Sequence, residues 1–276
     1  MEYYVKSVVP IIESNYDKFT TVEKNIADFF IKNRKKIDFS AKSVAEMLYV
    51  SEASLSRFAK KCGYRGYREF VYQYEETFVG KQESITCNTR MALNAYQELL
   101  NKTYSLMNEE QIERIANHIG KAEKVYVCGK GSSGLAASEM SVRFMRIGVN
   151  IDVLTDTDLI RMQAVFQGKG SLILGMSLSG EREDVMYLLR ESYKRGAKTV
   201  LFTARNKAVF DEFCDEVVLL PSLKYLHYGN VISPQFPILV MVDILYSCFL
   251  ERDKFQKETY HHDTLRALKG EQGNDY

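Results

Sequence analysis

The chain of 276 residues has few of the residues that build disulfide frameworks or metal sites. Its five cysteines are scattered without a Cys-x-x-Cys pair, and its four histidines show no spacing of the zinc-site kind. This pattern is typical of reduced thiols in a cytoplasm. We therefore expect no disulfide, no metal and no cofactor.

Long apolar runs are also missing. The most apolar stretch, "PILVMVDILYSCFL" at 237–250, is interrupted by Asp243 and is too short to span a membrane. The first residues, "MEYYVKSVVPIIES", lack the basic and then apolar order of a signal peptide. These absences predict a cytoplasmic protein without a membrane partner.

The sequence also lacks an excess of charge of either sign. Its 37 basic and 36 acidic residues give a net charge of +1, which provides no global attraction to nucleic acid. The basic residues are nevertheless concentrated locally, because residues 32–68 contain ten of them against three acidic ones. The near-neutral average therefore conceals a segment that suits an anionic partner.

Two parts of the chain differ in periodicity. Residues 1–80 predict helices alone, and capping-box spacings at Thr20-x-x-Glu23 and Ser43-x-x-Glu46 indicate where two of them begin. The buried face of the first of these helices is predicted to contain Val22, Ile26, Phe29 and Phe30.

From about residue 124, five short β-rich runs alternate with mostly helical segments. The runs are "KVYVCG", "NIDVLTD", "GSLILGMS", "KTVLFTA" and "DEVVLLP". Apolar strands separated by helices predict an α/β, doubly wound parallel sheet covered on both faces. We predict a helical domain at 1–80, a helical linker and lead-in helix at 81–123, the α/β domain at 124–260 and a polar tail at 261–276.

The segment "YVSEASLSRFAKKCG" has the residue types of a DNA recognition helix. Ser51 is a suitable N-cap, and Gly63 is suited to end the helix. The first residues are small or hydrogen-bonding, Arg57 can bind guanine, and later basic residues suit phosphates. The predicted DNA contacts are Ser51, Glu52, Ala53, Ser54, Ser56, Arg57, Lys60, Lys61, Arg65 and Arg68. A helical cap or dimerisation bundle is the alternative interpretation.

The stretch "SVAEMLYVSEASLSRFAKKCGYRGYREF", residues 43–70, resembles the N-terminal helix-turn-helix of the RpiR family of bacterial transcription regulators. This chain has Ser54 where the family usually has Thr, and Cys62 where Leu is usual. The resemblance implies an operator-binding helix-turn-helix domain.

The stretch "GKGSSG", residues 129–134, follows the first predicted strand and begins a helix. It is a G-x-G-x-x-G fingerprint, and Asp152 and Asp156 are placed for a ribose contact, so an NAD(H)-sensing repressor is one interpretation. A second serine-rich turn, "MSLSGEREDV", follows the third strand. Two hydroxyl-rich turns at neighbouring strand ends favour one compact phosphate ester instead.

Both turns resemble the phosphosugar site of the sugar isomerase (SIS) domain, which RpiR-family proteins carry after their helix-turn-helix. The resemblance implies a flavodoxin-like fold and phosphosugar contacts from Ser133, Ser177 and Ser179. Arg182 stands where the family has Thr, and could either pair with phosphate or block the usual pose. The predicted ligand site is Gly131, Ser132, Ser133, Ser177, Ser179 and Arg182.

SIS domains also occur in aldose–ketose isomerases, which need a general base. His227 and Glu139 are the candidates here, so an isomerase with a helical cap is an alternative. The attached DNA-binding segment favours a sensor that is not an enzyme.

The apolar face at Ile238, Val242, Leu245 and Phe249 is expected to pack partly on a second subunit of a homodimer or homotetramer. We therefore predict a regulator of sugar metabolism that senses a phosphorylated sugar. The identity of that sugar, the operator sequence and the sign of regulation are not specified by these residues.

Overall fold

The chain divides into two units, residues 1–86 and 87–276. The computed structural model describes residues 8–33, 35–79, 87–205, 209–223 and 231–270. The first unit is helical and the second is built on a parallel sheet, which confirms the predicted fold class. No helix within these described ranges is both long and apolar enough to cross a bilayer.

The first unit is held together by aromatic rings from different helices. Its helices are α1 (Val9–Ser14), α2 (Thr21–Lys32), α3 (Ala41–Leu48), α4 (Glu52–Lys61) and α5 (Tyr67–Val79). Phe30 of α2 is fully buried, and its ring centroid lies 6.0 Å from Phe58 of α4 and 4.8 Å from both Phe70 and Tyr74 of α5. These ring contacts fix the position of α4 against its neighbours.

Two details of the helix starts differ from the prediction. The Thr20–Glu23 capping box is present, but it places the Glu23 side chain inside and leaves Val22 46% exposed. The α3 helix begins earlier than the Ser43 spacing predicts, since Ser40 is its N-cap and accepts the Ser43 N–H at 3.3 Å.

The described residues of the second unit form five parallel strands in the order β2-β1-β3-β4-β5. The strands are β1 (Lys124–Gly129), β2 (Ile151–Leu154), β3 (Ser171–Met176), β4 (Lys198–Thr203) and β5 (Glu216–Leu219), and each lies within a predicted run. Leu172 and Leu174 face one core, whereas Ile173 faces the other. Burial on both faces explains why the strands are continuously apolar.

Helices cover both faces of this sheet. The first core contains residues of α6 (Cys87–Leu106), α7 (Glu109–Lys121), α8 (Ser132–Met145) and α11 (Phe236–Glu251). The second core contains residues of α9 (Thr157–Ala164) and α10 (Glu183–Lys194). Between β4 and β5, residues 210–213 form turns and residues 206–208 lie outside the described ranges.

The apolar face of α11 belongs to the core of its own domain. Ile238, Val242, Leu245 and Phe249 are all buried there, so the expectation that this face packs partly on a second subunit is corrected. The face is wide because residues of α6, α7 and α8 share the same core.

The C-terminal segment is more ordered than its polar composition predicts. Helix α12 runs over Lys254–Lys269, past the predicted start of a frayed tail at residue 261. The Lys257 ammonium lies 4.2 Å from the Phe249 ring centroid, and Arg146 Nε donates to Thr264 Oγ1 at 3.2 Å. These contacts attach α12 to α8 and α11.

The glycines at the end of β1 allow its turn to close tightly. A Cβ atom at Gly129 would lie 2.6 Å from the Ser133 carbonyl oxygen, and one at Gly134 would lie 2.9 Å from the Gly129 carbonyl oxygen. Neither backbone atom can move away without displacing the start of α8. The turn therefore requires glycine for close approach rather than for flexibility.

We predict that Gly129→Ala lowers the free energy of unfolding of the α/β unit by about 1–3 kcal/mol, as overpacking does in other cores. Urea unfolding followed by circular dichroism measures this. Gly120→Ala in α7 is the matched control, because its Cβ would meet only the Phe249 ring at 3.6 Å. The control is expected to match or exceed parental stability, by up to about 1 kcal/mol. A Gly129→Ala protein as stable as the parent would contradict this account of the turn.

Candidate functional site

The two serine-rich turns lie side by side because β1 and β3 are neighbours. These strands pair in parallel from Lys124 opposite Ser171 to Gly129 opposite Met176. The chain leaves β1 toward β2 and leaves β3 toward β4, which lie on opposite sides. Such a reversal opens a crevice at the carboxyl ends of the strands.

The first turn presents the start of α8. Its N-cap, Gly131, has φ +56° and ψ −130° and supplies no side-chain cap. The first helical hydrogen bond runs from the Leu135 N–H to the Gly131 carbonyl at 3.1 Å. The preceding N–H groups, from Ser132 to Gly134, therefore form an anion-binding helix N-terminus.

The second turn contains a buried hydroxyl with no partner. Ser177 is 1% exposed, and its Oγ accepts or donates no hydrogen bond among the described residues. An unsatisfied buried hydroxyl costs about 1–3 kcal/mol, so it indicates a missing partner. Nearby, Ser179 is exposed and accepts the Glu181 N–H at 3.3 Å.

A cavity of about 110 Å³ lies between the two turns. It brings together five of the six predicted ligand residues, and Gly131 is adjacent to them in the first turn. The lining residues are Lys130, Ser132, Ser133, Ser177, Leu178, Ser179, Arg182 and Pro234. The described part of the lining therefore carries two cations and no carboxylate.

Lys130 is a site residue that sequence reasoning missed. It occupies a variable position of the glycine fingerprint, and its ammonium donates to the Thr155 carbonyl at 2.9 Å. A cation between two glycines at a helix N-terminus is the signal that could have identified it. Across the cavity, exposed Arg182 is the N-cap of α10, and no carboxylate of the described residues pairs with it.

The acidic residues considered for a nucleotide ribose are engaged elsewhere. Asp156 is the N-cap of α9 and accepts the N–H groups of Asp158 and Leu159, each at 3.0 Å. Asp152 forms an ion pair with Lys124 at 2.8 Å. Neither carboxylate lines the cavity between the two serine-rich turns, which weakens the dinucleotide interpretation.

Of the two candidate bases of an isomerase, the structure describes only Glu139. Glu139 is an exposed residue of α8 that does not line the cavity. His227 lies outside the residues that the structure describes.

The helix-turn-helix has the predicted limits at α4. Ser51 is the N-cap and accepts the Ser54 N–H at 3.1 Å, and Gly63 follows the helix with φ +90°. Tyr49, with φ +54°, forms the left-handed turn from α3. Besides Lys61, the exposed residues among the predicted DNA contacts are Ser51, Glu52, Ala53, Arg57, Lys60, Arg65 and Arg68. Ser56 is half-buried beside them.

Two other predicted DNA contacts serve the domain itself. Ser54 is only 7% exposed, so its hydroxyl faces neighbouring side chains rather than a groove. The Lys61 ammonium lies 2.7 Å from the Glu23 carboxylate and 3.1 Å from the Lys18 carbonyl oxygen. It joins the end of α4 to the start of α2, and we therefore leave both residues out of the proposed DNA contacts.

The ion pair with Lys61 determines the protonation of Glu23. Burial raises the pKa of this carboxyl, but hydrogen bonds from Lys61 and from the Thr20 N–H and hydroxyl outweigh burial. The pKa of Glu23 is therefore lowered from its ordinary value. The carboxylate remains charged and links the start of α2 to the end of α4.

Comparison with known proteins agrees with both units. A model for the helix-turn-helix domain of the rpiR family matches residues 6–79, and a SIS domain model matches residues 118–233. An uncharacterized HTH-type transcriptional regulator of Haemophilus influenzae is 24% identical over 95% of this chain and 96% of its own length. The HTH-type transcriptional regulator RpiR of Escherichia coli K12 is 24% identical over 87% of this chain and 84% of its own.

Among solved structures, the Vibrio vulnificus NanR protein complexed with ManNAc-6P has a similar fold. It covers 97% of this chain and 100% of its own, with a TM-score of 0.60 and 22% identity. The fold and the two matched domains define a helix-turn-helix transcriptional regulator with a C-terminal SIS domain. Its helix-turn-helix domain belongs to the rpiR family, and the curated relatives that it matches are regulators of this type.

We predict that Lys61→Met lowers the free energy of unfolding of the helical unit by about 1–3 kcal/mol at pH 7, because a charged hydrogen bond to a buried carboxylate is lost. Glu23 has a lowered pKa in the folded state. Its contribution is therefore present above the unfolded value of ~4.3 and disappears as pH falls through the lower folded value. The difference between parent and variant should shrink on acidification.

Urea unfolding of the full chain at several pH values measures this difference. Lys60→Met, at the exposed neighbouring position, is the control and should change stability by less than about 0.5 kcal/mol. A difference that grows toward acid would show that Glu23 is not the partner that matters.

Proposed function

We propose that the protein binds operator DNA through α4 and adjusts this binding when a phosphorylated sugar occupies the cavity between its two serine-rich turns. The observation that carries the ligand proposal is the buried Ser177 hydroxyl, which has no partner among the described residues and lines a cavity with two cations. A phosphate ester supplies both the acceptor and the negative charge that this lining lacks.

Phosphate suits the site for two further reasons. The N-termini of α8 and α10 meet at the cavity, and each carries partial positive charge that favours an anion. Arg182 and Lys130 add full charges, and Arg182 can hold two phosphate oxygens at once. We therefore interpret Arg182, where the family has Thr, as an added phosphate contact.

A sugar suits the remainder of the lining. Ser132, Ser133 and Ser179 carry hydroxyls that can exchange hydrogen bonds with a polyol. NanR, which has a similar fold, forms a complex with ManNAc-6P, and this supports the same ligand class here. The described residues of the lining include no carboxylate or histidine, and the chain carries a helix-turn-helix domain, so we propose binding without turnover.

The ligand can influence DNA binding only by favouring one arrangement of the protein over another. We propose that the chain forms a homodimer or homotetramer whose recognition helices address two half-sites. Ligand binding would then change the separation of these helices.

Replacing both Ser177 and Ser179 by Ala should abolish the response of DNA binding to sugar phosphates while leaving basal DNA affinity unchanged. The reason is that both hydroxyls line the cavity and neither belongs to the helix-turn-helix. Fluorescence anisotropy with a labelled operator, with and without a panel of hexose, pentose and amino-sugar phosphates, measures both quantities. Ser222→Ala, an exposed serine of the same domain, is the control. Loss of basal DNA binding in the double variant would contradict the assignment.

Arg57→Ala should weaken binding to the selected operator by about 1–3 kcal/mol if Arg57 reads a base. Competition against operators changed at single positions identifies the base pair. A loss of equal size on every DNA sequence would instead assign Arg57 to a phosphate contact.

A further inference from the structure

The buried hydroxyl of Ser54 lies at the centre of a hydrogen-bonded chain at the start of α4. Ser51 Oγ accepts the Ser54 N–H at 3.1 Å, and the two hydroxyl oxygens lie 2.8 Å apart. Arg57 Nη2 donates to Ser54 Oγ at 2.9 Å. These hydrogen bonds therefore connect the N-cap of α4, through Ser54, to the exposed Arg57, which lies one turn beyond Ser54.

This arrangement restricts a side chain that would otherwise be mobile. Arg57 is exposed and has no carboxylate partner among the described residues, whereas Ser54 is only 7% exposed and is fixed by its backbone and by Ser51. A hydrogen bond to a fixed hydroxyl selects a small set of arginine rotamers. Because Ser54 lies three residues before Arg57, the guanidinium is directed toward the N-terminal end of α4, the part of a recognition helix that reads bases.

We propose that Ser54 is a positioning residue that sets the base preference of Arg57 and does not itself contact DNA. The inference rests on the proposed DNA-binding role of α4. It gives the hydrogen bonds among Ser51, Ser54 and Arg57 a role in the sequence specificity of DNA binding rather than in general DNA affinity. Preorganising a long side chain before binding reduces the entropy lost when the bidentate contact with guanine forms.

The test compares Ser54→Ala with Ser54→Thr, which keeps a hydroxyl on the same Cβ. A preferred site is first selected from a randomised DNA library by the full-length parent, and Arg57→Ala identifies the base pair that Arg57 reads. Dissociation constants are then measured for this site, for the site changed at that base pair, and for an unrelated duplex, each at several salt concentrations.

We expect Ser54→Ala to lose about 3- to 10-fold of the discrimination at that base pair, the range set by ordering one long side chain. Its affinity for the unrelated duplex and the slope of its affinity against salt should equal those of the parent, because phosphate contacts are unchanged. Ser54→Thr should retain parental discrimination. Thermal unfolding by circular dichroism checks that both variants fold.

Four results would overturn the inference. Ser54→Ala could keep full discrimination while Arg57→Ala loses it, which leaves the DNA-binding proposal intact. Ser54→Ala could instead weaken binding to all duplexes equally, which would make Ser54 a structural residue only. Failure of Ser54→Thr to restore discrimination in a folded protein would exclude the hydroxyl as the cause. If Arg57→Ala changes no preference at any position, the base-reading role of Arg57 fails, and the inference fails with it.

Discussion

The parallel pairing of β1 with β3 is the constraint on which the ligand site depends. It brings the turn after Gly129 beside the turn after Met176, although 46 residues separate these strand ends in the sequence. Each turn alone is a helix N-terminus, which is common in proteins. Together they enclose a cavity in which a buried hydroxyl and two cations face one another. The glycines at 129 and 134 permit the close backbone approach that the first turn needs.

The helical unit presents its functional residues by a different physical principle. Rings around Phe30 hold α2, α4 and α5 together, and the Glu23–Lys61 ion pair joins the ends of two of these helices. The inner face of α4 is therefore fixed, and its outer face remains free for a partner. Within that framework the same helix contains residues of two kinds, those that maintain the fold and those proposed to read DNA.

Much of this architecture could be predicted from the sequence, because it depends on local patterns. The continuous apolar runs correctly predicted the strands. Ser51 and Gly63 correctly predicted where α4 begins and ends. Tertiary partners could not be predicted in this way. The sequence predicts Lys61 to be one of several basic DNA contacts of a recognition helix. The structure shows that it pairs instead with Glu23, which lies 38 residues earlier in the sequence. The apolar face of α11 was likewise predicted to be part of a subunit interface, because the sequence does not show that α6 and α7 pack in the same core.

The most direct test of the account is a thermal-shift titration of the full chain with hexose, pentose and amino-sugar phosphates, with their unphosphorylated parents and with NADH. A ligand at ten times its dissociation constant stabilises the folded state by ~1.4 kcal/mol, which is measurable. The account predicts that one sugar phosphate raises the melting temperature while its unphosphorylated parent and NADH do not. A shift with NADH alone would show that the turn at 129–134 binds a dinucleotide and would contradict the phosphosugar site.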